Sequence, residues 1–130
     1  MTDQDCRDTI ARQWFQKAED SFAEAVLLLR EDRLVGCINR MYYSAFYAAS
    51  AVIAKEGKTY GKHSAVRASL HRDFVKTNRL PQSSGKVYDK LFEDRQEGDY
   101  APRTSFERED VELLIGETRE LLDSLKVLVD

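Results

Sequence analysis

Arg40 borders the least polar stretch of the 130-residue chain, since residues 41–54 contain no charged side chain. A guanidinium in such surroundings needs a partner, because an unpaired buried charge is very costly. Two chemistries fit. One is an internal ion pair with a carboxylate of another helix or of residues 93–99. The other is a phosphate-binding arginine flanked by Tyr43 and Tyr47, whose rings can stack on a base. The first predicts a largely buried Arg40 whose replacement by alanine costs about 3–5 kcal/mol. Arg95 is the second candidate. It lies four residues before Asp99, with Tyr100 next to that, which gives either a local contact closing a helix end or a polar cluster open to a ligand. His63 and His71 are the chain's two histidines. His63 suits a polar helix start, or a general acid/base if a partner lies nearby. His71 shares a helix face with Arg67, four residues earlier, and that pair alone defines no site.

Other chemistries are missing from the pattern. Neither histidine has a glutamate three residues before it, as a di-metal carboxylate bundle requires. No glycine-rich phosphate loop, His-Glu-x-x-His or Gly-x-Ser-x-Gly occurs. The reading is therefore no metal and no cofactor.

These residues are positioned by helices. Ala11, Trp14, Ala18, Phe22, Ala25 and Leu29 recur at three- and four-residue steps, so residues 5–30 form a helix with one apolar stripe. Residues 33–56 form a second helix, apolar almost all round and hence central, ending at Gly57. Its one polar stripe is Gly36, Arg40, Tyr43, Tyr47 and Ser50. A third helix is predicted over 63–77, with Val66, Leu70 and Phe74 inward. A fourth opens at Pro81, turns Val87, Leu91 and Phe92 inward and stops at Gly98, leaving 99–102 as a loop. Thr104-Ser105-Phe106-Glu107 has capping-box spacing and opens the last helix, whose Val111, Leu114, Ile115, Leu122, Leu125 and Val129 keep the period. No strand-like alternation competes. The predicted fold is all-α: one domain over 1–130, an antiparallel up-and-down bundle of four to five helices with short loops.

Composition bounds the setting. The net charge is −3, yet residues 55–90 hold nine Lys/Arg against three Asp/Glu, while residues 105–130 hold eight acids against three bases. The basic stretch fits an anionic ligand or a solvated helix face. A binder of duplex DNA by charge alone would be basic overall, so that partner is excluded. No segment reaches the ~18–20 apolar residues of a membrane helix. With no export signal at the start, the protein reads as cytoplasmic, and Cys6 and Cys37 as reduced thiols.

The run Asn39-Arg40-Met41-Tyr42-Tyr43-Ser44-Ala45-Phe46-Tyr47-Ala48-Ala49 resembles the second-helix signature of the HEPN (higher eukaryotes and prokaryotes nucleotide-binding) superfamily. Lys62-His63-Ser64, Phe74-Val75-Lys76-Thr77-Asn78-Arg79-Leu80 and Asp94-Arg95-Gln96-Glu97-Gly98-Asp99-Tyr100 follow in the family's order. The chain is most similar to its small, single-domain prokaryotic branch. The resemblance implies an all-α bundle and a homodimer; the tyrosine-rich faces of the chain itself make the helix bearing Arg40, or the fourth helix, the expected seam. The resemblance also implies a nucleotide or RNA ligand and a minimal nucleotidyltransferase as protein partner in a toxin–antitoxin pair. Active members are metal-independent ribonucleases with an arginine followed, after four to six residues, by a histidine. There the arginine stabilises the phosphate and the histidine moves protons. Arg95 matches the arginine, but Tyr100, Ala101 and Pro102 occupy the histidine positions.

The resulting expectation is a binding module without catalysis of its own. Its candidate ligand residues are Arg40, Tyr43, Tyr47, His63, Arg95, Asp99 and Tyr100. Two alternatives stand beside it: a ribonuclease with an altered site using His63 or Tyr100, and a structural or antitoxin-like partner in which Arg40 and Arg95 are ion-pair residues.

Overall fold

The computed structural model describes residues 2–102 and 105–130. Five α-helices account for most of it, with no strand among the described residues: α1 (Asp3–Arg30), α2 (Leu34–Lys55), α3 (His63–Ser69), α4 (Gln82–Tyr100) and α5 (Arg108–Val129). No described helix is long and apolar enough to cross a membrane.

Helix α1 starts on a reciprocal cap: the Asp5 amide donates to Thr2 Oγ1 and the Thr2 amide to Asp5 Oδ2, both at 3.0 Å. It ends where Asp32 takes a left-handed φ of 57° and the Arg33 amide returns to the Leu28 carbonyl at 2.8 Å. So short a turn makes α1 and α2 antiparallel neighbours. Their seam is lined by small residues. Ala18, Ala25, Ala45 and Ala48 are fully buried, and Ser44 Oγ donates to the Ala18 carbonyl at 2.7 Å while Ser21 Oγ donates to the Arg40 carbonyl at 2.8 Å. Each of these two hydroxyls thus has a backbone acceptor, and the helices approach closely without stranding either.

As its composition predicts, α2 is the hub and packs against α1, α3, α4 and α5. Its Met41, Ala45, Phe46, Ala49, Val52 and Ile53 are all buried. Helix α5 supplies Val111, Leu114, Leu122, Leu125 and Val129, joined by Thr118 and Leu121, and Arg119 grips Glu19 of α1 through two hydrogen bonds of 2.7 and 2.8 Å. Cys37 is buried, which pushes its thiol up to about 11, and it is not bonded to the exposed Cys6.

Three predicted boundaries are corrected. The third helix does not run regularly to residue 77. After Ser69 the chain widens into a π-helical turn over Leu70–Val75, with the Lys76 amide donating to the His71 carbonyl five residues back at 2.9 Å. The wide turn keeps Leu70 and Phe74 buried and lays His71 against Gly85 of α4, where an added Cβ would lie 2.7 Å from His71 Cε1. Helix α4 does not stop at Gly98. It continues to Tyr100, and Gly98 serves close packing, since a Cβ there would stand 3.2 Å from Val35 Cγ1. Helix α5 opens at Arg108 with Glu107 as its cap residue and no side-chain cap bond. The capping residue read from the sequence, Thr104, lies outside the described residues.

Candidate functional site

The extension of α4 decides the site. Continued helix places Asp99 one turn after Arg95, and Asp99 Oδ2 sits 2.8 Å from Arg95 Nε. The geometry is that of an ion pair, for this buried Nε makes no hydrogen bond. Asn39 of α2 directs its amide at both Asp99 oxygens, at 3.4 and 3.5 Å. Arg95 Nη2 donates to the Tyr43 hydroxyl at 3.1 Å. The guanidinium lies 5.2 Å from the centre of the Tyr42 ring and 5.3 Å from that of Tyr43. With its side chain only 16% exposed, Arg95 is the arginine held by the fold.

His63, the first residue of α3, reaches the same two tyrosines from the other side. Its Nδ1 shares a 2.7 Å hydrogen bond with the Tyr42 hydroxyl. Its ring stacks on Phe46 with centres 4.3 Å apart and meets Tyr43 edge-on at 5.8 Å. Burial, and next the Arg95 charge, lower the His63 pKa from its ordinary 6.5 and so favour the neutral imidazole. Burial pushes Tyr42 up to about 12. Burial also pushes the adjacent Tyr88 well above the ordinary phenol range, and the buried Tyr88 hydroxyl forms no hydrogen bond of good geometry.

Along the outer face of α2 the stripe of Arg40, Tyr43 and Tyr47 continues onto α1. The Arg40 guanidinium lies over the Tyr43 ring at 5.2 Å. Trp14 stacks on Tyr47 at 5.8 Å, and Lys17 sits over both rings, at 5.5 and 4.6 Å. Three cations from three helices thus border a run of three touching rings, Trp14, Tyr47 and Tyr43: Lys17 covers the first two, and Arg40 and Arg95 both lie on the third. Stacked rings bind bases with little sequence preference, and bordering cations bind phosphates.

Arg40 itself departs from expectation. Its carboxylate partner does come from another helix, but it is Glu24 of α1 at 3.7 Å, with the Arg40 side chain 29% exposed and that of Glu24 55%. Arg40 is half-buried because it sits on the polar stripe, at the rim of the α1–α2 seam. Tyr100, 75% exposed at the end of α4, joins none of these ring contacts. The structure therefore unites Arg40, Tyr43, Tyr47, His63, Arg95 and Asp99, and leaves Tyr100 outside. Trp14, Lys17, Asn39 and Tyr42 were missed, because helical periodicity assigns them to stripes without saying which stripes meet.

In the basic stretch of 55–90 all three arginines, with Lys55 and Lys90, have carboxylate partners. Arg79 meets Glu56 at 2.6 Å, Arg72 meets Asp73 at 2.9 Å and Lys90 meets Asp94 at 3.0 Å. Arg67 and His71, which share a face as the spacing suggests, converge on Asp89 Oδ1 at 2.7 and 2.9 Å. Burial acts to raise the Asp89 carboxyl, but hydrogen bonds from His71 and Arg67 outweigh it and hold it below the usual range. This trio joins α3 and its π turn to α4.

An all-α bundle with a cation–aromatic row along its central helix is the class that this fold and site define. Residues 11–128 match the profile of the HEPN domain, and the chain belongs to that family. A UPF0332 protein of Thermotoga maritima is 36% identical over 124 residues, 95% of this chain and 94% of the relative. A protein of Methanocaldococcus jannaschii, named "Putative toxin MJ0142", is 27% identical over 111 residues, 85% of this chain and 76% of the relative.

Proposed function

We propose that this chain is a HEPN binding module that holds single-stranded RNA, or a nucleotide, on the row formed by Lys17, Arg40 and Arg95 with Trp14, Tyr47 and Tyr43, without cleaving it. The observation that carries this reading is Arg95. Asp99, Tyr43 and the faces of two tyrosines hold its guanidinium in place, so little conformational entropy is lost when a phosphate arrives. The overall acidity of the chain fits a ligand read by stacking better than duplex DNA gripped by charge. The name of the M. jannaschii relative supports a toxin–antitoxin setting. In that setting the partner is a minimal nucleotidyltransferase protein, and the module works as a homodimer in the cytoplasm. The test is the binding of an end-labelled single-stranded RNA by the parent and by Arg95→Ala. The substitution is expected to weaken binding at every sequence and to reduce the salt slope by about 1. Equal affinity and equal slope would remove Arg95 from the site and the proposal with it.

One observation favours a second reading, cleavage: His63 and Arg95, thirty-two positions apart, meet on the same pair of tyrosines. For His63 to take a proton from a ribose 2′-hydroxyl, its Nε2 must be free, so Nδ1 must donate to the Tyr42 oxygen. The 2′-oxygen would then attack phosphorus, and the departing 5′-oxygen would need a proton returned to it. Binding ranks first because a single hydrogen bond fixes the imidazole, the Tyr100 phenol is exposed outside the cluster, and Ala101 and Pro102 carry no acid. A metal-free digest of mixed RNA separates the two. No cleavage is expected, and cleavage lost in both His63→Ala and Arg95→Ala would reverse the ranking.

A further inference from the structure

Beside the row lies a cavity of about 290 Å³ between α1, α2 and the loop leading into α3. Trp14, Phe46, Tyr60 and His63 wall it, with Ser50 and Thr59 as further polar groups. We infer that this cavity takes one unstacked nucleobase of the RNA strand whose phosphates run past Lys17, Arg40 and Arg95. The inference rests on the binding function proposed above and adds the place where the base is held.

Three features of the cavity point to a base. No Asp, Glu, Lys or Arg lines it, so it offers nothing to a phosphate and little that penalises a neutral ring. Its volume falls just below the ~300–1,000 Å³ usual for drug-sized ligand pockets, enough for a single base. Its walls are flat rings, the best partners for a base face. One of those walls, Trp14, belongs to the cation row, and another, His63, adjoins it. Trp14 stacks on Tyr47 beneath Lys17, and His63 packs against Tyr43, to which Arg95 is bonded. A strand following the row therefore passes the mouth of the cavity. Inside, Ser50 Oγ spends its proton on the Phe46 carbonyl at 2.8 Å, leaving its lone pairs to accept from a base N–H. His63 Nδ1 is engaged by Tyr42, which leaves the Nε2 side of the ring. A neighbouring cavity, which shares Ile53 as a wall, differs. At about 230 Å³ it is lined by Glu56, Lys58, Asp73 and Arg79, charges that disfavour a neutral ring.

Trp14 is the only tryptophan in the chain, so a base entering the cavity reports itself by quenching the intrinsic fluorescence. The experiment titrates the full chain with hexauridylate and with an abasic hexamer of equal charge, following Trp14 emission and the anisotropy of end-labelled strands. Two variants fill the cavity: Ser50→Leu within it, and Gly61→Leu at its mouth, where an added Cβ meets nothing within 4 Å. Circular dichroism checks that both keep their helix content. The expected result is quenching by hexauridylate only, with its affinity lowered about tenfold or more in each folded variant, as loss of a stacked base entails. Binding of the abasic strand should not change. Hexauridylate binding that is indifferent to both variants, or that leaves Trp14 emission unaltered, overturns the cavity inference while leaving the phosphate row intact. Failure of both strands to bind the parent overturns the row and the cavity together.

Discussion

Two arginines that the sequence makes look alike are set apart by their surroundings. Arg40 pairs with a half-solvated Glu24 at 3.7 Å, a distance and exposure at which ion pairs contribute little. Arg40→Ala should therefore cost less than about 1 kcal/mol, not the ~3–5 of a broken buried pair. Urea denaturation decides between them, and a loss in the higher range would mean that the pair is far better shielded than it looks. His63 carries the pH dependence of the site. Its native pKa lies below the ordinary 6.5 because burial and then Arg95 disfavour the imidazolium. A depressed pKa means that the unfolded chain binds the proton more readily. The associated stability is therefore complete above ~6.5, declines as pH falls toward the native value and levels off below it. His63→Gln removes the titration and keeps a polar side chain, so the urea midpoint of the parent should fall more between pH 7.5 and 5.5 than that of the variant. Parallel falls would show that His63 is solvated.

At the scale of elements, glycines separate helix propensity from packing. Gly116 lies inside α5, and a Cβ there meets nothing within 4 Å. Gly116→Ala should stabilise the protein by about 0.5–1 kcal/mol, the ordinary helix-interior difference. Gly85 lies inside α4, yet its added Cβ would meet His71 Cε1 at 2.7 Å and Nδ1 at 3.1 Å. Gly85→Ala must displace His71 from Asp89, and the expected loss is about 1–3 kcal/mol. Thermal melts of the two variants should thus shift in opposite directions, and a shared sign would mean that the π turn yields to the new methyl group at no cost. The same logic explains Gly98. In a one-dimensional reading a glycine near a helix end is a stop signal. Here the close approach of Val35 and Phe106 uses the missing side chain, and the helix runs on far enough to bring Asp99 beneath Arg95.

For the whole molecule, the testable expectation is pairing. Val35 on α2 and Tyr100 on α4 are exposed, which leaves apolar surface at one end of the α2–α4 face. The chain, of 15.0 kDa, should sediment at about 30 kDa at micromolar concentration, and a monomer throughout that range would exclude the dimer. The helices, their order and the centrality of α2 were legible in the sequence, because apolar residues at three- and four-residue steps define a buried face whatever it packs against. The family was legible for a related reason: the Asn39–Ala49 run fixes local residue types that need no tertiary information. The candidate site was only half legible. Arg95 with Asp99, and Arg40 with Tyr43 and Tyr47, are neighbours along single helices, so spacing finds them. Spacing cannot show that His63 closes onto Tyr42, that Trp14 and Lys17 of α1 extend the stripe of α2, or that Arg67 and His71 share Asp89. Those contacts join residues eighteen or more positions apart. They depend on the rotation of each helix about its axis, which close packing of the buried alanines, serines and glycines sets. Sequence alone determined which residue types were available for binding. Tertiary structure decided which of them stand together, because only packing turns separate helical stripes into one surface.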